Sequence, residues 1–207
     1  MTSSRTPSLR AATRELVRER ILVAATDLAG AADWKSIRMT DIAERAGVSR
    51  RTVFNEFESK AGVLEAMAWR HTGLYLGEAG ARLEQHRDDP VGAVTVITEF
   101  LLTASAEDPL VRSVLDAPAD EPGELLSLVT TRSAPFVAAA TQFYVAFAEQ
   151  HWSGLIRPDI DMAFFVESLV RLVFSHLIRP SGPPAETAHA IGGLFKALLI
   201  ASGPPST

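Results

Sequence analysis

Residues 39–60, MTDIAERAGVSRRTVFNEFESK, are the most informative stretch of the 207-residue chain. The pattern predicts one helix from Met39 to Ala46, ended by Gly47, because glycine is the common residue just past a helix end. A second helix is predicted from Arg50 to Phe57, because Ser49 is a residue type that caps helices. Two short helices joined by a tight turn form a helix-turn-helix, whose second helix enters the major groove of DNA.

The predicted second helix begins with two arginines, Arg50 and Arg51. Basic side chains at the start of such a helix contact phosphates and the edges of guanines. Asn55 has an amide that can read adenine with two hydrogen bonds. We predict that Phe54 and Phe57 are packing residues on the apolar side of this helix. The segment therefore favours DNA binding.

This stretch resembles the DNA-binding domain of the tetracycline-repressor-like transcriptional regulators in its residues and their spacing: Ile42-Ala43, Ala46-Gly47-Val48-Ser49, Phe54, Phe57, Lys60 and Leu64. The resemblance covers roughly residues 13–68. It implies an N-terminal DNA-binding domain and a variable helical body that binds a small-molecule effector and dimerises through its last two long helices. It also implies a phosphate-binding lysine at the position of Lys60. The chain departs from the family at Arg38, where Ser or Thr is usual, and at Phe54, where Tyr is usual.

From the motif and the resemblance together we predict one set of DNA-contacting residues: Arg38, Thr40, Ser49, Arg50, Arg51, Thr52, Asn55 and Lys60. A dimer would hold two reading helices about one DNA turn apart, so the expected partner is a palindromic double-stranded operator.

The rest of the chain shows helical periodicity and no alternating strand pattern of useful length, which predicts an all-α protein of nine or ten helices. Pro135 should kink or split the helical stretch from Glu124 to Gln150. A final helix is predicted from Glu186 to about Ile200. We expect a basic arm with the helix-turn-helix domain at 1–60 and a helical effector-binding and dimerisation domain at 61–207.

Charge is distributed unevenly along the chain. The formal net charge is −5 overall, but residues 1–60 carry an excess of positive charge and the remainder an excess of negative charge. Five arginines lie in the first 20 residues. Residues 1–8 are predicted to be a flexible basic arm, which either contacts DNA or is simply disordered. A basic head on an acidic body fits a nucleic-acid partner for the head.

Several classes of protein are excluded or disfavoured by composition. The chain has no cysteine, which excludes disulfides, thiolate zinc sites, iron–sulfur clusters and a cysteine nucleophile. No apolar run is long enough for a membrane span and no secretory signal is evident, so we expect a cytoplasmic protein. No catalytic motif is present, the single Glu-x-x-His is insufficient for a di-iron site, and we predict no enzyme activity, metal or cofactor.

An effector site is predicted from aromatic residues at helical spacing in the stretch around Phe136 to Trp152. Ordinary core packing is the competing interpretation. A ligand bound there would be apolar, neutral or weakly polar, and lipid-like or lactone-like. The candidate effector-binding residues are His71, Thr98, Leu102, Phe136, Phe143, Phe147 and Phe165.

A dimer interface is predicted on the last two helices. The stretch from Ala163 to Ile178 is apolar around most of the helix, which requires cover on more than one side. The candidate interface residues are Leu169, Leu172, Val173, His176, Ile191, Leu194, Phe195 and Leu198.

The sequence therefore predicts a dimeric, ligand-responsive transcriptional regulator, a repressor released by a small apolar effector. Two alternatives remain open at this point. One is a constitutive DNA-binding protein whose body only dimerises. The other is a small all-α carrier or enzyme with an incidental helix-turn-helix.

Overall fold

A computed structural model describes residues 8–115, 124–197 and 199. These residues form ten α-helices and no β-strand beyond one isolated bridge between Ile156 and Leu199, which confirms the all-α prediction. The helices are α1 (Leu9–Ala31), α2 (Met39–Ala46), α3 (Arg50–Phe57), α4 (Lys60–Gln85), α5 (Pro90–Glu107), α6 (Pro109–Leu115), α7 (Glu124–Val129), α8 (Ala134–Trp152), α9 (Met162–Ile178) and α10 (Pro184–Lys196).

The helices group into two compact units. Unit 1 comprises the described residues of Met1–Arg70 and Pro109–Leu128, and unit 2 those of His71–Asp108 and Val129–Thr207. The predicted boundary at residue 60 differs from this division, because the first turns of α4 belong with unit 1. Val63, Leu64 and Met67 are fully buried, and Arg70 at the end of the same stretch pairs with Glu19.

Unit 1 is built around α1, which packs against α2 and α6. Arg70 lies 2.6 Å from Glu19 of α1 and so joins α4 to the same helix. At Gly30 a β-carbon would lie 3.1 Å from Cβ of Pro109, so a small residue is needed where α1 meets α6. The segment from Pro109 groups with the N-terminal helices for this reason, which sequence order alone does not suggest.

Unit 2 is a bundle in which α5 packs on α10 and α9, and α8 packs on α9. One core cluster includes Ala79, Leu83, Trp152 and Phe195. The indole N–H of Trp152 donates to the carbonyl of Arg87 at 2.7 Å, which satisfies the polar end of this large buried side chain.

The predicted break at Pro135 is found. Helix α7 ends at Val129 and α8 begins at Ala134, which places the proline in the first turn of α8, where its missing N–H has no helical partner to lose. The last helix ends at Lys196, whereas the pattern predicted about Ile200. Ile200 lies outside the described residues.

Candidate nucleic-acid interface and ligand-binding unit

The turn between α2 and α3 is fixed by backbone geometry. Gly47 has φ of 65°, the left-handed conformation that glycine adopts without strain. The N–H of Val48 donates to the carbonyl of Ala43 at 3.0 Å, and the hydroxyl of Ser49 accepts from the N–H of Thr52 at 3.0 Å. These bonds satisfy the end of α2 and the start of α3, so the direction of α3 is set by local chemistry.

The outer face of α3 carries unpaired positive charge. Arg50, Arg51 and Asn55 are exposed. Within the part of the chain that the structure describes, neither arginine forms an ion pair. Thr52 is half-buried and its hydroxyl lies 2.8 Å from that of Ser49, so these two side chains also stabilise the helix start. The face as a whole offers two free guanidinium groups and one amide.

The prediction that Phe54 is a packing residue is wrong. Its side chain is 44% exposed on the same face of α3, and the guanidinium carbon of Arg50 lies 5.9 Å from the centre of its ring. Phe57, in contrast, is buried as predicted. The exposed phenylalanine therefore lies on the outer face of α3 beside Arg50.

Two further predicted DNA contacts precede α3. Arg38 is exposed at the start of α2, and its backbone N–H donates to the carboxylate of Asp41 at 2.7 Å. Thr40 is half-buried. The capping carboxylate fixes the backbone and leaves the Arg38 side chain on the surface.

Lys60 has a structural role that the sequence did not predict. Its ammonium group donates to the carbonyl of Trp34 and to that of Lys35, the latter at 3.3 Å. It also lies 5.0 Å from the centre of the Trp34 ring. Lys60 therefore holds the short turn that precedes α2 against the start of α4. An ammonium has three donors, so one is left for a phosphate.

Several of the N-terminal arginines serve the fold, which charge counting did not reveal. Arg14 donates to both carboxylate oxygens of Glu56 at 2.9 Å, and Arg18 donates to the Glu56 carbonyl at 3.2 Å. Arg20 donates to the Ala46 carbonyl at 2.7 Å, at the end of α2. Arg14 and Arg18 are four residues apart, which places them on the same side of α1. Arg5 lies outside the described residues, as does most of the predicted arm.

The turn between α3 and α4 is strained and tightly packed. Glu58 has φ of 61°, and the N–H of Ser59 donates to the Phe57 carbonyl at 2.6 Å, which makes a γ-turn of the rare kind. At Gly62 a β-carbon would lie 2.2 Å from the same carbonyl oxygen. Only glycine lets α4 start this close to the end of α3.

The predicted effector residues lie within unit 2. Thr98, Leu102 and Phe136 are buried. Phe143, Phe147 and Phe165 all pack against the same core cluster. Phe147 is edge-on to Trp152 with ring centres 5.3 Å apart, and Phe165 stacks on Phe195 at 5.9 Å. The three phenylalanines therefore contribute to the core, whether or not a ligand contacts them.

His71 takes part in a polar cluster whose other members the sequence did not reveal. Its Nε2 lies 2.7 Å from a carboxylate oxygen of Asp108, and the Tyr75 hydroxyl donates to the same oxygen at 3.2 Å. Burial, together with the negative charge of Asp108, raises the pKa of Tyr75 to about 12, so the phenol stays protonated. Nδ1 of His71 is buried and has no hydrogen-bond partner among the residues that the structure describes.

The predicted dimer interface needs a correction on α10. Ile191 and Phe195 are each only 2% exposed, because this side of α10 packs on α5 within the protomer. Val173 is also buried. The apolar side chains that remain accessible include Leu194, at 58% exposure, and Phe164, at 71%. Leu169, Leu172 and His176 are half-buried, and Leu198 lies outside the described residues.

No helix among the described residues is both long and apolar enough to cross a membrane. The same residues include no group of three or more His, Cys, Asp or Glu side chains placed to hold a metal ion.

The geometry of α1 to α3, with a fixed turn and free arginines on the second motif helix, defines a helix-turn-helix DNA-binding protein. The family model described as bacterial regulatory proteins of the tetR family matches residues 21–67. The model described as the bacterial tetracyclin repressor C-terminal domain matches residues 89–196. The chain belongs to the TetR family of transcriptional regulators.

Individual relatives agree with this assignment. The chain is 32% identical over 169 residues to the HTH-type transcriptional regulator AlkX of Mycobacterium tuberculosis, covering 82% of this chain and 78% of the relative. The structure is similar to the TetR-family repressor AlkX of Dietzia sp., with a TM-score of 0.71 at 23% identity, over 86% of this chain and 94% of that one. It is also similar to the TetR-family repressor FadR of Thermus thermophilus in complex with lauroyl-CoA, with a TM-score of 0.63 at 23% identity, over 92% and 98%.

Proposed function

We propose that the chain is a homodimeric repressor that binds a palindromic operator and is released from it by a small apolar effector. The observation that carries the DNA-binding part is the outer face of α3, where Arg50 and Arg51 are exposed and form no ion pair within the described residues. A DNA-binding regulator acts on the chromosome, so we place the protein in the cytoplasm.

The proposed contacts divide by the chemistry of the side chains. Arg50, Arg51 and Asn55 are free to reach base edges in the major groove. We assign the other proposed contacts to phosphate: Arg38, Thr40, Ser49, Thr52 and Lys60. Of these, the side chains of Ser49 and Lys60 already bond to the local backbone. Phosphate contacts set the register on DNA and base contacts set the sequence.

The proposed dimer uses the accessible side of α9 and α10. Its accessible side chains are the apolar Phe164, Leu169, Leu172 and Leu194, together with the polar His176. A two-fold interface brings the same patch of both subunits together. Exposed apolar side chains of this size are unfavourable in water, and a second subunit would bury them.

The proposed effector binds in unit 2 among aromatic and aliphatic side chains. This part of the proposal is supported by the family, by the relative crystallised with lauroyl-CoA and by the half-buried rings of Phe143, Phe147 and Phe165. If the effector weakens operator binding by some factor, the operator must weaken effector binding by the same factor.

The experiment that tests DNA binding starts with selection of an operator from random duplexes by the full-length protein. Fluorescence anisotropy at two salt concentrations then measures the affinity. We expect tight binding to a palindrome that weakens with salt. The double variant Arg50→Ala/Arg51→Ala should lose at least 100-fold in affinity for this operator.

A matched control removes two arginines from unit 2, Arg132→Ala/Arg157→Ala, with the same change in net charge. Both side chains are exposed, and Arg157 forms an ion pair with its neighbour Asp159. The control should stay within about threefold of the original affinity. Equal losses in the two double variants, or failure to select any sequence, would overturn the proposal.

A further inference from the structure

Among the residues of unit 2 that the structure describes, Nδ1 of His71 and Oγ1 of Thr141 are buried without a hydrogen-bond partner. Leaving a buried polar atom without a partner is unfavourable, so each such atom calls for an explanation. Neither residue belongs to the DNA-binding surface. Their place inside the proposed effector-binding unit suggests that a bound molecule completes their hydrogen bonding.

The two atoms differ in what the fold itself offers them. Thr141 lies on α8, and a helical threonine can turn its hydroxyl to the carbonyl four residues earlier. Thr26 and Thr95 do so in this structure, at 2.9 Å and 2.8 Å. His71 has no comparable option, because Asp108 holds its ring through Nε2. Nδ1 of His71 is therefore the atom that most needs a group from outside the fold.

The partner on Nε2 determines what Nδ1 can accept. A carboxylate oxygen only accepts hydrogen bonds, so Nε2 carries the hydrogen that points to Asp108. In the neutral imidazole Nδ1 then has a lone pair, and its complement is a hydrogen-bond donor. A carboxylate ligand would need an extra proton on the ring and would place a second negative charge near Asp108. A neutral hydroxyl group requires neither.

The surroundings of His71 suit a chain-like hydrocarbon. Leu76 packs against the cluster of Val137 and Ala140, a β-carbon at Gly80 would lie 3.0 Å from the Phe143 ring, and Trp152 bonds the carbonyl of Arg87. These pairings show that α4 and α8 run side by side in the same direction. At 1.5 Å per residue, Thr141 lies about 9 Å beyond His71 along this direction. The side chains between them are mostly apolar.

We propose that unit 2 binds a neutral, chain-like amphiphile whose hydroxyl group donates a hydrogen bond to Nδ1 of His71. Its hydrocarbon chain lies along α4 and α8, against Leu76, Phe143 and Tyr144. This inference rests on the proposed function, because it names the chemical class of the effector that unit 2 binds.

The test compares three ligands of equal chain length on the full-length protein without DNA: 1-dodecanol, its methyl ether 1-methoxydodecane, and dodecanoate. Affinity is measured by displacement of the fluorescent probe N-phenyl-1-naphthylamine and by the shift in Tm. We expect 1-dodecanol to bind at least tenfold more tightly than the other two, because only its neutral hydroxyl offers a donor. Tighter binding of dodecanoate or of the ether would overturn the inference.

Variants locate the hydroxyl. His71→Leu removes the Nδ1 acceptor without supplying another, so it should bring the alcohol and the ether within about twofold of each other. The control is His86→Leu just past the end of α4, where Nδ1 of His86 lies 3.0 Å from the Arg82 carbonyl, and it should keep the preference for the alcohol.

Two other outcomes would contradict the proposal. If Thr141→Val abolishes the preference and His71→Leu does not, the hydroxyl binds at Thr141. If none of the three ligands binds, the inference fails, and the operator measurement on Arg50 and Arg51 still decides the DNA-binding proposal separately, since no DNA is present in the ligand assay.

Discussion

Units 1 and 2 carry their functional residues in opposite places. In unit 1 these residues lie on the surface of a short motif, where Arg50 and Arg51 project from a helix whose start is fixed by Ser49. In unit 2 the candidate ligand contacts lie inside, among residues that also form the core. A surface site stands out because charged residues there need no packing role, whereas an interior site uses the same residue types as an ordinary core.

The arginines show the same contrast. In unit 1 the ion pairs join residues distant in sequence: Arg14–Glu56, Arg45–Asp27 and Arg70–Glu19. In unit 2 the arginine pairs join near neighbours: Arg82–Glu78, Arg157–Asp159 and Arg171–Glu167. The contact of His71 with Asp108 in the same unit is long-range. Unit 1 therefore uses its excess of basic residues to connect helices as well as to meet DNA.

The largest effect expected from a single methyl group is at the α3–α4 turn. Gly62→Ala would place Cβ 2.2 Å from the Phe57 carbonyl oxygen, and a backbone atom cannot swing away as a side chain can. We expect a loss of about 1–3 kcal/mol in the free energy of unfolding and at least a tenfold loss in operator affinity. Chemical denaturation and anisotropy measure the two quantities.

Gly73→Ala is the matched control on the same helix, because a β-carbon there has no atom within 4 Å among the described residues. It should stabilise the protein by up to about 1 kcal/mol through the helix preference of alanine and leave operator affinity unchanged. Equal behaviour of the two variants would mean that the close approach of α3 and α4 does not govern the reading helix.

In unit 2, a methyl group added at Gly192 should reduce the free energy of unfolding by a smaller amount. It should not affect DNA binding. Gly192→Ala would place Cβ 2.2 Å from Oγ1 of Thr95, where α10 crosses α5. A side-chain hydroxyl can move, so we expect about 1–2 kcal/mol of destabilisation, within the range for overpacking. Operator affinity per folded dimer should change less than threefold.

The double variant Gly192→Ala/Thr95→Ala tests the cause, because it removes the hydroxyl that the new methyl group meets. It should be more stable than the sum of the two single changes predicts, which is a coupling measurable by a double-mutant cycle. Additive losses would show that Gly192 is required for another reason.

Sequence patterns predicted most helices of this protein because periodicity, proline and capping residues are local signals. The bounds of α2 and α3 follow from Gly47 and Ser49, and the break before α8 follows from Pro135. The predicted apolar side of α3 is buried in the structure, except that Phe54 is exposed. From sequence alone an aromatic side chain is predicted to be buried. Whether it is exposed depends on where the neighbouring helices lie.

The sequence could not predict which residues of different helices contact each other. Ile191 and Phe195 formed part of a plausible interface stripe, but α5 covers them within the protomer. Asp108 and Tyr75 gave no signal, since their link to His71 depends on how α4 and α5 pack. Likewise, nothing in the count of arginines showed that Arg14, Arg18 and Arg20 bond to other helices.

The smallest expected effect has the opposite sign, and it concerns the strained residue of unit 1. Glu58→Gly removes the side chain from a residue held at φ of 61°, and glycine adopts positive φ without strain. We expect a gain of about 1 kcal/mol in the free energy of unfolding, seen as a higher midpoint in urea. Glu58→Ala is the control, since alanine loses the carboxylate but keeps Cβ, and it should give no such gain. If both variants gain equally, the benefit comes from removing a negative charge near the reading helix. Gain in the glycine variant alone would mean that unit 1 carries backbone strain at the turn that positions α3, whereas the close contact of unit 2 at Gly192 involves a movable side chain.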